Sequence, residues 1–229
     1  MVFDPPVNFR QLYDHFNAPV TSLDCGEKCA PHNPHGIPFC CDICKAVPAV
    51  YIQEWNYLGS ITDLWHSWRG NECLDGPVDP QDLREQTPET MVLLACNGPH
   101  LCQREFRAIS CRQFPFFPYI TFRDRFIGMA YDLEFEATCW VISHLEEVTH
   151  SFRSEFISTY DEIFRRSEEE FDAYAFLSEK IRELAKKKKH RISILHRNGN
   201  NYLLSPKSEK LEKINLKKMK KFGPYKSII

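Results

Sequence analysis

Five cysteines within twenty residues constrain this chain more than any other feature: Cys25, Cys29, Cys40, Cys41 and Cys44. Around them the sequence is rich in Gly, Pro, His and Asn, with too little apolar mass to order itself. A second group follows at Cys96, Cys102 and Cys111, and Cys73 and Cys139 complete the ten. Disulfides, metal ligation and inert buried thiols compete to explain them. The N-terminus, Met-Val-Phe-Asp-Pro-Pro, has neither a basic region nor an apolar run of the secretory kind. A cytoplasmic location is therefore expected, where disulfides are rare. A chain of 229 residues is also long enough to bury a core without covalent staples. Inert thiols behave as small apolar residues and scatter through core segments. Cys73 and Cys139 read that way. The grouped cysteines read as thiolate ligands, whose metal-binding free energy would become folding free energy.

Cys41-Asp42-Ile43-Cys44 is a C-x2-C unit, and Cys25 with Cys29 forms a looser C-x3-C unit. Adjacent side chains of an extended segment point to opposite sides. Cys40 and Cys41 can therefore face one centre only across a sharp turn. Otherwise they serve two metals, or one ligates while the other packs.

The segment from Cys25 to Cys29, with Phe39-Cys40-Cys41-Asp42-Ile43-Cys44, resembles the front half of the YkgJ-type cysteine-cluster family, which is credited with a zinc- or iron-chelating domain. The run Met91-Val92-Leu93-Leu94-Ala95-Cys96, then Leu101-Cys102, then Cys111-Arg112-Gln113-Phe114-Pro115 resembles its back half. The likeness spans about residues 23–120, and its most specific part is Cys-Arg-x-Phe-Pro. Two departures are visible. An insert from Ala30 to Phe39 carries His32 and His35, and Arg107-Ala108 stands where the family has Arg-Pro. The resemblance implies a metal bound by Cys25, Cys29, Cys40, Cys41, Cys44, Cys96, Cys102 and Cys111. The family is similar in turn to flagellin lysine methylases.

Thiolates suit both zinc and iron–sulfur clusters. Structural zinc usually takes two paired knuckles, whereas this chain has one true C-x2-C and a second group spaced by five and eight residues. Iron–sulfur ligation tolerates mixed spacing, so a 4Fe–4S cluster is the leading cofactor and zinc the alternative. Arg112, next to Cys111, is the candidate to offset the charge of a thiolate-bound centre. Phe114 to Tyr119 would supply a dry wall, or be simply a core strand. His32, His35 and Cys139 remain open as further ligands.

The fold expected is α+β: cysteine-rich metal-binding loops on a small sheet, then two helices and a C-terminal β-hairpin. Residues 8–17 suit a short helix, 49–69 two helical pieces with Ser60 and Asp63 at a capping spacing, and 91–95 a buried strand. Text over 118–142 is β-rich, including Asp132 to Glu136. From about 144 the apolar period becomes 3.6, through Leu145, Val148, Phe152, Phe156, Tyr160 and Ile163. Ser167 and Glu170 form a capping box for a second helix, and Asn198-Gly199 turns a hairpin over 191–204. This gives a metal-binding domain at 1–143, a helical segment with hairpin at 144–205, and a flexible basic tail at 206–229.

The formal charge of −2 hides an asymmetry: residues 1–179 carry 13 Lys+Arg against 28 Asp+Glu, and residues 180–229 carry 16 against 3. Aromatic residues for stacking bases are sparse in the basic stretch, so nucleic acid is not an expected partner, and the text offers no membrane span. The leading function is a metal-binding protein whose iron–sulfur or zinc centre serves redox or cluster-assisted chemistry with an unidentified redox or protein partner. A structural zinc interaction module is the alternative. A metal-dependent protein-modifying enzyme, such as a lysine methylase, is the second; whether the chain is an enzyme stays open. No Walker motif, nucleophile elbow or H-E-x-x-H is present.

Overall fold

The apolar run Met91–Cys96 forms the central strand of the cysteine-bearing part, with Leu94 and Ala95 buried. The computed structural model describes residues 7–43, 45–76, 79–85 and 87–226. The chain divides into two compact units. One comprises residues 9–17 and 24–114, the other residues 18–23 together with the chain from Pro115 onward. Both combine helices with antiparallel sheet, an α+β fold.

The cysteine-bearing unit starts with α1 (Phe9–His15) and α2 (Cys25–Cys29). β1 (Ala49–Tyr51) runs straight into α3 (Ile52–Ile61), followed by β2 (Trp65–Ser67), α4 (Gln81–Glu85), β3 (Met91–Cys96) and α5 (Ile109–Gln113). β3 pairs antiparallel with β1 along its first half and with β2 along its second, so Val92 faces Val50 and Cys96 faces Trp65. The second helical piece expected before residue 69 is thus a strand. Pairing of Trp65, His66 and Ser67 with β3 overrides their local pattern. Ser60 does not cap it either: it lies inside α3 and its hydroxyl donates to the Tyr57 carbonyl at 2.6 Å.

The other unit is built on a five-stranded antiparallel sheet, β4 (Phe116–Ile120), β5 (Phe126–Tyr131), β6 (Ile192–His196), β7 (Asn201–Leu204) and β8 (Leu211–Lys213), in that order. Between β5 and β6 run α6 (Trp140–Ser143), α7 (His150–Arg166) and α8 (Glu168–Lys187). Thr149 and Ser167 cap α7 and α8 through hydrogen bonds from the N–H groups of Phe152 and Glu170. The apolar stripe of α7 buries Phe152, Phe156, Tyr160 and Ile163. At the end of β4 the ladder is completed by α8: Ser178 Oγ accepts from the Ile120 N–H at 3.0 Å, and Arg182 donates to the Ile120 carbonyl at 2.9 Å. Arg182 also pairs with Glu209, which accepts from Tyr119 and the Phe122 N–H, drawing the β7–β8 loop onto β4.

Three expectations change here. Asp132 to Glu136 is no strand, because Asp132 accepts from the Glu134 N–H and starts the 3₁₀ turn Leu133–Ala137. The division falls at 114/115 rather than 143/144, since β4 and β5 belong to one sheet with the C-terminal hairpin. Within the segment expected to be a flexible tail, residues 206–226 are laid down in order. β8 pairs with β7, Leu216 and Phe222 are buried, Ser143 accepts from the Phe222 N–H at 2.8 Å, and Tyr225 donates to the Thr138 carbonyl at 2.8 Å. Among the described residues no helix is long and apolar enough to cross a membrane.

Candidate metal centre

Cys40 and Cys41 sit on a single 3₁₀ turn, Phe39–Cys41, which resolves the geometry that adjacent cysteines demand. The turn folds both sulfurs to one side, 4.0 Å apart. They line a cavity of about 50 Å³ together with Cys96, Cys102 and Cys111, three thiols from a remote stretch of chain. On the same measure one water needs ~10–15 Å³.

Each late sulfur is placed by a different device. Cys96 ends β3, held by its register against Trp65. Cys102 follows the 3₁₀ turn Pro99–Leu101. Cys111 lies in α5, which begins where the Ile109 N–H donates to the buried Glu54 carboxylate at 2.7 Å. Trp65 spans the site, its Nε1 donating to the Phe106 carbonyl at 2.7 Å, and so ties the strap carrying Cys102 to β2. Ile43, Pro48, Leu64, Trp65 and Pro99 make the remaining wall apolar.

One cation enters this sulfur pocket. Arg107 lines it and donates through Nε to Cys102 Sγ at 3.1 Å. The hydrogen bond from Cys40, and the charge of Arg107, hold the Cys41 thiol below its usual value against the opposing effect of burial. Burial pushes the Cys96 thiol up, and the Cys111 thiol well above its usual range. Cys41 is accordingly a readier thiolate than Cys96 or Cys111, until a cation arrives to compensate.

Arg112, the arginine expected to offset cluster charge, is spent otherwise. It is buried, donates to the main-chain carbonyls of Arg107, Tyr13, Phe16 and Glu105, and stacks over the Tyr13 ring with 4.0 Å to the centroid. It fastens α5 and the strap to α1. Arg107, which carries no sequence signal for a role at the site, is the one at the sulfurs.

Cys25 and Cys29 open and close α2, with Asp24 capping the helix through a bond from the Gly26 N–H. Neither is among the residues lining the cavity. Cys29 is buried, its thiol raised by that burial first and by the charges of Cys25 and Cys41 after it, so the pair stands within electrostatic reach of Cys41. His35 is taken up elsewhere: Nδ1 meets Asp42 at 2.8 Å and Nε2 meets Asp75 at 3.0 Å, while Lys45 pairs with Asp75 at 2.8 Å. These bonds, with Asn33 donating to Asp42 at 3.1 Å, brace the cysteine loop. His32 is exposed at the end of a 3₁₀ turn. Cys139 lies in the other unit, buried at the N-cap of α6. Cys73 is no free thiol but part of a disulfide, contrary to its reading as inert. Cys44 lies outside the described residues.

Among the described residues no three of His, Cys, Asp or Glu stand in a ligating arrangement. The five lining cysteines share a pocket without closing on a common point. Their chemistry still fits a soft metal centre: sulfur donors, apolar walls and one guanidinium for a negatively charged group.

Glu54 had no sequence signal beyond its place four residues before Leu58 on the buried face of α3. It accepts from Tyr13 at 2.6 Å, and burial pushes its carboxyl up to about 7 despite those hydrogen bonds and the nearby Arg112. Comparison of the chain with family models, with curated proteins and with solved structures returns no match.

Proposed function

We propose that this protein binds a thiolate-ligated metal centre in the sulfur pocket, an iron–sulfur cluster of the 4Fe–4S kind in the leading version, and uses it for redox or cluster-assisted chemistry. The observation that carries the reading is the convergence of Cys40 and Cys41 with Cys96, Cys102 and Cys111 on one apolar cavity. Surplus thiols would have no reason to gather from segments more than fifty residues apart.

Cys41, Cys96, Cys102 and Cys111 would hold the centre, with Cys40 and the Cys25–Cys29 pair as neighbouring donors. Such a group supplies one-electron chemistry at a potential set by hydrogen bonds to its sulfurs and by solvent exclusion. The chain supplies both of these terms. Arg107 donates to the Cys102 sulfur, and Trp65, Leu64 and Ile43 exclude water. The mixed spacing of Cys41, Cys96, Cys102 and Cys111, without a second C-x2-C knuckle, favours iron–sulfur over zinc. Eight described cysteines are free thiols available to a metal centre and a redox partner, whereas Cys73 is in a disulfide and lends no support to a reducing compartment.

Anaerobic purification with iron, sulfide and zinc analysis tests the reading. A brown protein with broad visible absorbance, lost in Cys111→Ser and kept in Cys139→Ser, is expected. Stoichiometric zinc without colour selects the structural zinc module instead. Metal-free protein under both conditions overturns the proposal.

A further inference from the structure

We propose that the turn end of the five-stranded sheet is a binding surface for single-stranded nucleic acid. Two grooves meet at the β6–β7 turn. One, of about 440 Å³, runs along α7 beside Arg153 and Arg197. The other, of about 340 Å³, is formed by the β4–β5 turn and the β7–β8 loop and contains Phe122, Arg123, Arg125 and His196. His196 and Arg197, consecutive in the chain, each line one of the two grooves.

The charge here runs against the chain around it. Residues 1–179 carry more than twice as many acidic as basic side chains, yet arginines from 123–125, 153 and 197 gather at one place. Their acidic neighbours are already engaged: Asp161 pairs with Arg197, and Glu209 with Arg182. Asp124 remains, in the β4–β5 turn itself. Among the described residues neither Arg123 nor Arg125 has a carboxylate partner, and both are exposed. Arg153 spends its guanidinium on the Gly199 carbonyl and Asn201, which leaves its charge uncompensated.

An aromatic surface lies among these cations. Phe122 is 55% exposed at the turn tip, an unusual place for a ring with no core to join, and the Arg123 guanidinium sits 5.6 Å from its centroid. His196 packs edge-on against Tyr202 at 5.3 Å. A cationic groove with the exposed Phe122 ring suits a flexible strand whose bases are free to stack, whereas a duplex hides its base faces. An acidic protein segment would use the arginines but leave Phe122 idle.

Fluorescence anisotropy with a labelled mixed-sequence single-stranded oligonucleotide tests the surface, using the full chain. Binding should weaken with salt. Arg123→Ala combined with Arg125→Ala should lower affinity about tenfold or more and reduce the salt slope by about 1.4, at ~0.7 per lost phosphate contact. Phe122→Ala should cost about fivefold or more with the slope unchanged, as loss of stacking does. All three residues are exposed turn positions, and circular dichroism confirms that the variants fold. Absence of binding at low salt overturns the proposal, as does equal binding by the double variant. So does indifference to Phe122→Ala with heparin competing as well as the strand, which marks polyanion attraction alone.

Discussion

Arg107 and Cys102 are joined by a 3.1 Å hydrogen bond from guanidinium Nε to sulfur, the sole contact by which a cation reaches the described sulfur pocket directly. A donor aimed at a sulfur stabilises its anionic form and shifts the potential of any centre it ligates. Replacing Arg107 with Ala should therefore lower the reduction potential of the anaerobically purified protein, and Lys should restore it only in part because a point charge lacks the fork geometry. Redox titration followed in the visible range reads the change; an unaltered potential in Arg107→Ala would separate this bond from the centre.

The thiols should differ in reactivity in the metal-free protein. Cys41 is held low by Cys40 and Arg107, and Cys111 is held high by burial. Because the thiolate is the nucleophile, pulsed alkylation read by mass spectrometry at neutral pH should label Cys41 before Cys96 and Cys111. A uniform rate would contradict the environments described.

Arg112 holds four main-chain carbonyls from α1, the strap and α5. Arg112→Ala strands buried acceptors, each worth ~1–3 kcal/mol, and should destabilise by at least about 3 kcal/mol. Arg112→Lys should recover little, for one ammonium cannot reach four directions. Chemical denaturation of the two variants compares them.

Glu54 predicts a pH dependence. Its carboxyl ordinarily titrates near 4.5 and in the fold near 7, so the folded state binds the proton more tightly. Stability from this group is fully present below pH 4.5 and is lost as pH rises through about 7, amounting to about 3 kcal/mol across that window. Glu54→Gln keeps the shape and removes the titration. Its stability should vary less than wild type between pH 5 and 8 in urea unfolding.

Gly223 places the C-terminal segment. At φ 52 it passes so near residue 137 that a Cβ would stand 2.2 Å from the Ala137 carbonyl oxygen. Gly223→Ala should undock residues 216–225 and loosen the backbone at Lys220 and Lys221, so that limited tryptic digestion cuts there faster than in wild type. The remainder of the fold should persist by circular dichroism.

Local text determined a good deal. The strand at 91–96, the cap at Ser167 and the turn at Asn198-Gly199 are each written within a few residues, since periodicity, capping and turn chemistry act over that range. The α+β class followed from them. The grouping of cysteines also marked them as special. Tertiary structure alone decided which sulfurs share a cavity, that Arg107 faces them while Arg112 holds carbonyls, and that a carboxylate is buried at Glu54. It also drew the basic C-terminal segment onto the sheet through Leu216, Phe222 and Tyr225. Those outcomes depend on contacts between residues tens of positions apart. Burial and a neighbour's charge set the role of an arginine or a carboxylate, and neither is written in its own stretch of chain.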